Sequence, residues 1–165
     1  YAEMINKEQE VLFNYNKAYM YFAIADYKKA LSYLNIVLND NEQNLRQDIY
    51  GFARVFNLIL HYELKNYEFL EYVIKSTNRY LTKQERTLQI ESTLISYLKK
   101  LSKTQNETSR IELFKNFRIE LDVLLGNVNE NVLLEYFNIL AWVDSKLLKI
   151  DFPKAVQASV SQTNK

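Results

Sequence analysis

Along most of this chain apolar residues recur every three or four positions, the spacing that lines one side of an α-helix. The rhythm predicts a first helix from about Ile5 to Ile24, with Leu12, Tyr15, Tyr19 and Phe22 on one face. Asp26 is placed to cap a second helix, in which Ala30, Tyr33, Leu34, Val37 and Leu38 keep the spacing until Asp40 and Asn41 break it. A third helix follows from about Gln43 to Leu64, with Leu45, Ile49, Phe52, Phe56, Leu60 and Leu64 inward. Asn66 is expected to cap a fourth, carrying Phe69, Leu70, Val73, Thr77, Tyr80 and Leu81. Thr82-Lys-Gln-Glu85 has the form of a capping box opening a fifth helix, with Leu88, Leu94, Leu98 and Leu101 inward. After a polar turn from Ser102 to Ser109, a sixth runs from about Arg110 to Leu125 on Ile111, Phe114, Leu121 and Leu124, and stops at Gly126. Asn129 would cap a seventh, striped by Leu133, Tyr136, Leu140, Val143 and Leu147. Residues 1–150 thus form one expected helical domain. Residues 151–165 are a tail, in which Phe152-Pro153 opens a short helix before disorder from Ser159.

Composition supports the all-α class. Two glycines and one proline in 165 residues cannot supply the many positive-φ turns of a sheet protein. Charge narrows the partners. A net charge of +1 with no basic stripe argues against nucleic acid, and no apolar run approaches a membrane span. The N-terminal residues lack the regions of a signal peptide, which leads us to expect a cytoplasmic protein. Tyrosine rather than methionine stands first, so we expect a processed chain or part of something longer.

Two segments of the pattern align. Tyr21-Phe-Ala-Ile-Ala-Asp-Tyr27-Lys-Lys-Ala-Leu-Ser-Tyr-Leu34 matches His61-Tyr-Glu-Leu-Lys-Asn-Tyr67-Glu-Phe-Leu-Glu-Tyr-Val-Ile74 at an offset of 40. Each has an aromatic late in a long helix, a polar turn residue, a tyrosine, then a small or apolar residue three positions on. This resembles the tetratricopeptide repeat, a helix–turn–helix unit of about 34 residues. Asp26-Tyr27, Ala30 and Leu34 sit where that family has its turn, its close helix contact and its apolar anchor. Ala25 and Lys65 replace its frequent glycine, Lys17 its leucine, and Leu70 its alanine, so Leu70 is expected to hold its helices further apart. His61-Tyr-Glu-Leu-Lys-Asn-Tyr67 and Leu140-Ala-Trp142-Val-Asp-Ser-Lys-Leu147 also resemble the C-terminal part of tetratricopeptide-containing proteins of Bacteroidetes-type bacteria. The resemblance implies a right-handed stack of antiparallel helix pairs, an α-solenoid of about seven helices.

Catalytic equipment is sparse. No glycine-rich phosphate loop exists, no cysteine occurs, and His61 is the one histidine, so neither metal nor cofactor is expected. Nothing near His61 has the strained nucleophile turn of a hydrolase triad, and Glu63, Glu68, Glu71, Glu112, Glu120 and Asp122 read as solvated helix faces. Asn106-Glu-Thr108 fits a glycosylation sequon but is better placed to start a helix.

Aromatic residues are the remaining candidates. The resemblance places the first helix of each pair on a concave face, here Tyr15, Tyr19 and Phe22 with Val55, Ile59 and Tyr62. Tyr15 and Tyr19 replace the Lys and Asn that family members use to grip a C-terminal carboxylate, so that clamp is not expected. Left open, the face is a tyrosine-rich groove for a peptide or helix; covered by further helices, it is core. Trp142 lies off the Leu133–Leu140–Leu147 stripe and is expected half exposed, as an end cap or docking anchor. The leading expectation is a non-catalytic protein–protein interaction scaffold, with self-association through its terminal helices as one form of partnership. The alternative is a helical ligand-sensing domain of a larger signalling protein.

Overall fold

The computed structural model describes residues 2–86 and 88–163. The chain divides into two compact units, Tyr1–Gln84 and Glu85–Lys165. Among the described residues there are nine α-helices and no strand, against about seven helices expected. None of these helices is long and apolar enough to cross a membrane.

In the first unit, α1 (Ala2–Ala23) turns Val11, Tyr15, Ala18 and Phe22 inward. Leu12, expected on that face, is 40% exposed because Val11, one residue earlier, keeps better helical phase with Tyr15 and Phe22. α2 (Tyr27–Leu38) begins at Asp26, whose carboxylate accepts from Lys29 N at 3.2 Å, and buries Ala30, Leu34 and Val37. Past its end, Asp40 accepts from Glu42 N at 2.8 Å and pairs with Lys7 of α1 at 2.7 Å. α3 (Gln47–Glu63) packs against α1, α2 and α4 (Tyr67–Lys83). Its buried residues, from Ile49 through Tyr50, Phe52, Val55, Phe56, Leu58 and Ile59 to Tyr62, go right round the helix, as a central helix requires. α4 buries Leu70, Val73, Ile74, Thr77 and Leu81 and leaves Phe69 outside. The expected capping box at Thr82–Glu85 does not form. Thr82 and Lys83 complete α4, and Glu85 terminates the turn with φ 53°.

In the second unit, α5 (Gln89–Lys103) buries Ile90, Leu94, Tyr97, Leu98 and Leu101. α6 (Glu107–Leu124) is started by Asn106, whose side chain accepts from Ser109 N at 3.1 Å. Gly126 follows α6 but has no positive φ, so it is not the left-handed stop expected of it. The chain instead tightens into a 3₁₀ turn, η1 (Val128–Asn131), held by Asn127, not Asn129, which accepts from Asn129 N at 3.0 Å. The expected seventh helix is broken. α7 (Val132–Tyr136) ends where Phe137 turns extended, φ −152°, and α8 (Ile139–Leu148) restarts with Asn138 accepting from Ala141 N at 3.0 Å. α9 (Phe152–Thr163) continues as helix through Ser159, further than the expected short helix; Asn164 and Lys165 lie outside the described residues. α6 packs on α5 and α8, and α8 on α9.

Candidate functional site

Of the six expected partner-binding residues, the structure buries five: Tyr15, Phe22, Ile59, Tyr62 and Trp142. Tyr19 is half-buried. In the first unit the reason is Phe56 on α3. Its ring lies edge-on to Tyr15 at 5.9 Å, Tyr19 at 6.2 Å and Phe22 at 5.4 Å, filling the face between α1 and α3. Aromatic pairs at these separations form core contacts rather than the walls of an empty groove. Trp142 is 1% exposed, which corrects the half-exposed position inferred for it. The inference carried the Leu133–Leu140–Leu147 stripe through an unbroken helix. The break at Phe137–Asn138 resets the phase, so Ile139, Trp142 and Val143 face inward while Leu140 and Leu147 are half-buried. Phe114 of α6 meets the Trp142 indole edge-on at 5.7 Å.

The two aligned segments form two closely matching turns. Ala25 and Lys65 have φ 61° and 59°, the left-handed conformation for which glycine is the usual residue. Ala25 N donates to Phe22 O at 2.9 Å and Asp26 N to Tyr21 O at 2.9 Å; Lys65 N donates to Tyr62 O at 3.0 Å and Asn66 N to His61 O at 3.0 Å. The tyrosine after each turn folds back on the aromatic before it, Phe22–Tyr27 at 5.4 Å and Tyr62–Tyr67 at 5.9 Å. Ala30 and Leu70 are both wholly buried. The caps differ: Asp26 caps α2, whereas the Asn66 side chain makes no cap and meets His61 Nδ1 at 3.3 Å.

A related turn precedes α9, outside the two aligned segments. Asp151-Phe-Pro-Lys-Ala155 shares its Asp, Lys and Ala with Asp26-Tyr-Lys-Lys-Ala30 and has an aromatic at the same second position. Asp151 Oδ1 accepts from Lys154 N at 2.9 Å, its carbonyl from Ala155 N at 3.1 Å, and Ala155 is 1% exposed. The signal is a match at three of five residues, with a fourth aromatic in both, displaced from the 40-residue register.

Chemistry at His61 is limited by its surroundings. The ring is buried, edge-on to Phe69 at 4.8 Å, and burial pushes its pKa below the usual histidine value. Among the described residues no group of three or more His, Asp or Glu is placed to hold a metal. A cavity of about 410 Å³ in the second unit is lined by Leu134, Leu140 and Val160, with Arg118 and Asp144 at its polar side. Arg118 is already paired with Asp144 at 2.7 Å and with Asp122, so its charge is not available to an anion.

Exposed apolar side chains gather elsewhere. On α1, Phe13, Met20 and Ile24 are 57%, 61% and 70% exposed. Their spacing of i, i+7 and i+11 puts them on one stripe, opposite Val11, Tyr15, Ala18 and Phe22. Lys17 lies within the stripe, its ammonium 5.4 Å from the Phe13 ring centre. On α4, Phe69 and Tyr72 stack at 6.0 Å and are both exposed. Comparison with protein-family models, curated proteins and solved structures finds no match.

Proposed function

We propose that the chain is a tetratricopeptide-like scaffold, a right-handed stack of helix pairs that holds a protein or peptide partner and performs no chemistry of its own. The observation that supports this reading is the match between the turns at Ala25–Asp26 and Lys65–Asn66 in left-handed residue and backbone hydrogen bonds, at an offset of 40. Repeated helix pairs with a close crossing after each turn are the unit from which solenoid scaffolds are built. The N-terminal boundaries of the second helices add support: Asp26, Asn66 and Asn106 stand 40 residues apart, and each precedes the second helix of a pair.

The surface for a partner moves from the inward aromatics to the outward stripe Phe13–Met20–Ile24. An exposed apolar stripe on one helix suits a partner helix that lays its own apolar side along it. The test replaces Met20 with a photo-cross-linking residue in the native host and identifies the protein captured. That protein, purified, is then titrated against the chain. We expect Kd below about 10 µM, weakened at least tenfold by Met20→Glu with the melting temperature unchanged. Binding indifferent to Phe13, Met20 and Ile24 would remove the stripe from the account.

A further inference from the structure

The cavity beside Arg118 is assembled within the second unit from four helices. Arg118 comes from α6, Leu134 from α7, Leu140 and Asp144 from α8, and Val160 from α9. Leu140 and Asp144 are four residues apart and share one side of α8. It is a different side from that of Ile139, Trp142 and Val143, which are buried in the core. At about 410 Å³ the cavity is within the size range of small-molecule sites. Its walls are of two kinds. Leu134, Leu140 and Val160 make an apolar side, and Val160 leaves 56% of its surface for a bound molecule to cover. Arg118 and Asp144 make a charged side, each side chain only 25% exposed.

The charges there do not balance. Arg118 Nε donates to Asp144 Oδ1 at 2.7 Å, and Nη1 donates to Asp122 Oδ1. One guanidinium thus serves two carboxylates, which leaves one negative charge in excess. Asp122 is 64% exposed, so water meets its share, whereas Asp144 lines the cavity. Among the described residues no donor reaches Asp144 Oδ2, and that oxygen is open to a ligand. We propose that this cavity binds a small primary amine with an apolar body: the ammonium donates to Asp144 Oδ2, and the body lies on Leu134, Leu140 and Val160. An anion meets the wrong sign. A neutral apolar molecule takes water from Asp144 and gives no donor in return. An ammonium supplies both the donor and the missing positive charge, in a hydrogen bond of the stronger, charge-assisted kind. The site lies in the second unit, whereas the scaffold reading rests on the two turns of the first, so either can fail without the other.

The test is an NMR titration of the full chain, followed through its leucine and valine methyl groups, with three probes of similar shape: 2-phenylethylammonium, 2-phenylethanol and 3-phenylpropanoate. The ammonium should shift the methyl signals of Leu134, Leu140 and Val160 with a Kd of about 5 mM or tighter. The alcohol should bind at least about fivefold more weakly, and the propanoate more weakly still. In Asp144→Asn, which keeps an oxygen for Arg118, the ammonium should lose its advantage over the alcohol. Several results would overturn the proposal: no saturable binding, equal affinity for ammonium and alcohol, tighter binding of the propanoate, or shifts that miss those three residues. An ammonium advantage that survives Asp144→Asn does so too, because Asp144 is then not the acceptor. If Asp144→Asn does not fold, the ranking of the three probes on the parent chain decides alone.

Discussion

Ala25 and Lys65 stand forty residues apart and share one backbone conformation, φ 61° and 59°, each ending the first helix of a pair. Neither is glycine. A side chain with a Cβ is held there against a cost of roughly 1–2 kcal/mol, so the surrounding hydrogen bonds and rings fix the turn. Lys65→Gly should relieve part of that cost, stabilising the chain by about 0.5–1 kcal/mol and raising the melting temperature by about 1–4 °C. A lower melting temperature would mean that the turn is not left-handed in solution.

Ala30 is wholly buried on α2, three residues after Tyr27, and the proposed repeat puts it at the crossing of α1 and α2. Ala30→Leu adds three carbons at that crossing and should cost roughly 1–3 kcal/mol in a urea titration. An unchanged midpoint would place Ala30 outside the crossing.

Trp142 is the only tryptophan, so the chain's indole fluorescence reports one site. Buried against Phe114, it should emit at short wavelength and resist quenching by acrylamide. Trp142→Ala should cost about 3–5 kcal/mol. Emission typical of a solvated indole would return Trp142 to the surface.

Glu130 supplies acceptors to two amides at the start of α5. Glu130→Ala leaves both amides without that partner and should destabilise the chain by about 2–3 kcal/mol, with Glu130→Gln costing less because one acceptor remains. Equal effects of the two substitutions would show that the carboxylate is not acting as a cap.

His61 gives the chain a pH dependence with a definite sign. Burial holds its pKa below the ordinary 6.5, so unfolded chains take up a proton at higher pH than folded ones. The stability a neutral His61 contributes is present above that ordinary value and is lost as the pH falls through the depressed folded value. Between pH 7 and 5 the parent chain should therefore lose more stability than His61→Gln. Parallel losses in thermal melts at the two pH values would show that His61 does not contribute.

What was legible in the sequence is what local chemistry decides. Asp26 caps α2 through its own third neighbour, and Asn106 starts α6 in the same way, so short motifs sufficed. Trp142 was misplaced because the 3.6-residue rhythm carries no mark where a helix breaks. Nothing in the residue types Phe137 and Asn138 forbids a helix, yet Phe137 is extended and Asn138 caps a new helix. The cap of α5 was out of reach, since its acceptor, Glu130, lies 40 residues downstream of Ile90. Tyr15, Tyr19 and Phe22 of α1 do meet one α3 residue, but it is Phe56 rather than Val55, Ile59 or Tyr62, and residue type alone does not separate a groove from a core. Phe56 decides it, by occupying the space between α1 and α3.

The central claim is that residues 21–30 and 61–70 are one structural unit used twice, and a transplant tests it most directly. Residues 63–69 are replaced by the sequence of residues 23–29, which puts Ala23-Ile-Ala-Asp-Tyr-Lys-Lys29 into the second turn. The account predicts unchanged helical circular dichroism and one cooperative urea transition within about 1–2 kcal/mol of the parent chain. A control transplant shifted by one residue should lose both, because it moves the left-handed position and the tyrosine out of register. Loss of cooperative folding in the in-register transplant, or equal tolerance of the shifted one, would contradict the repeat and the scaffold reading built on it.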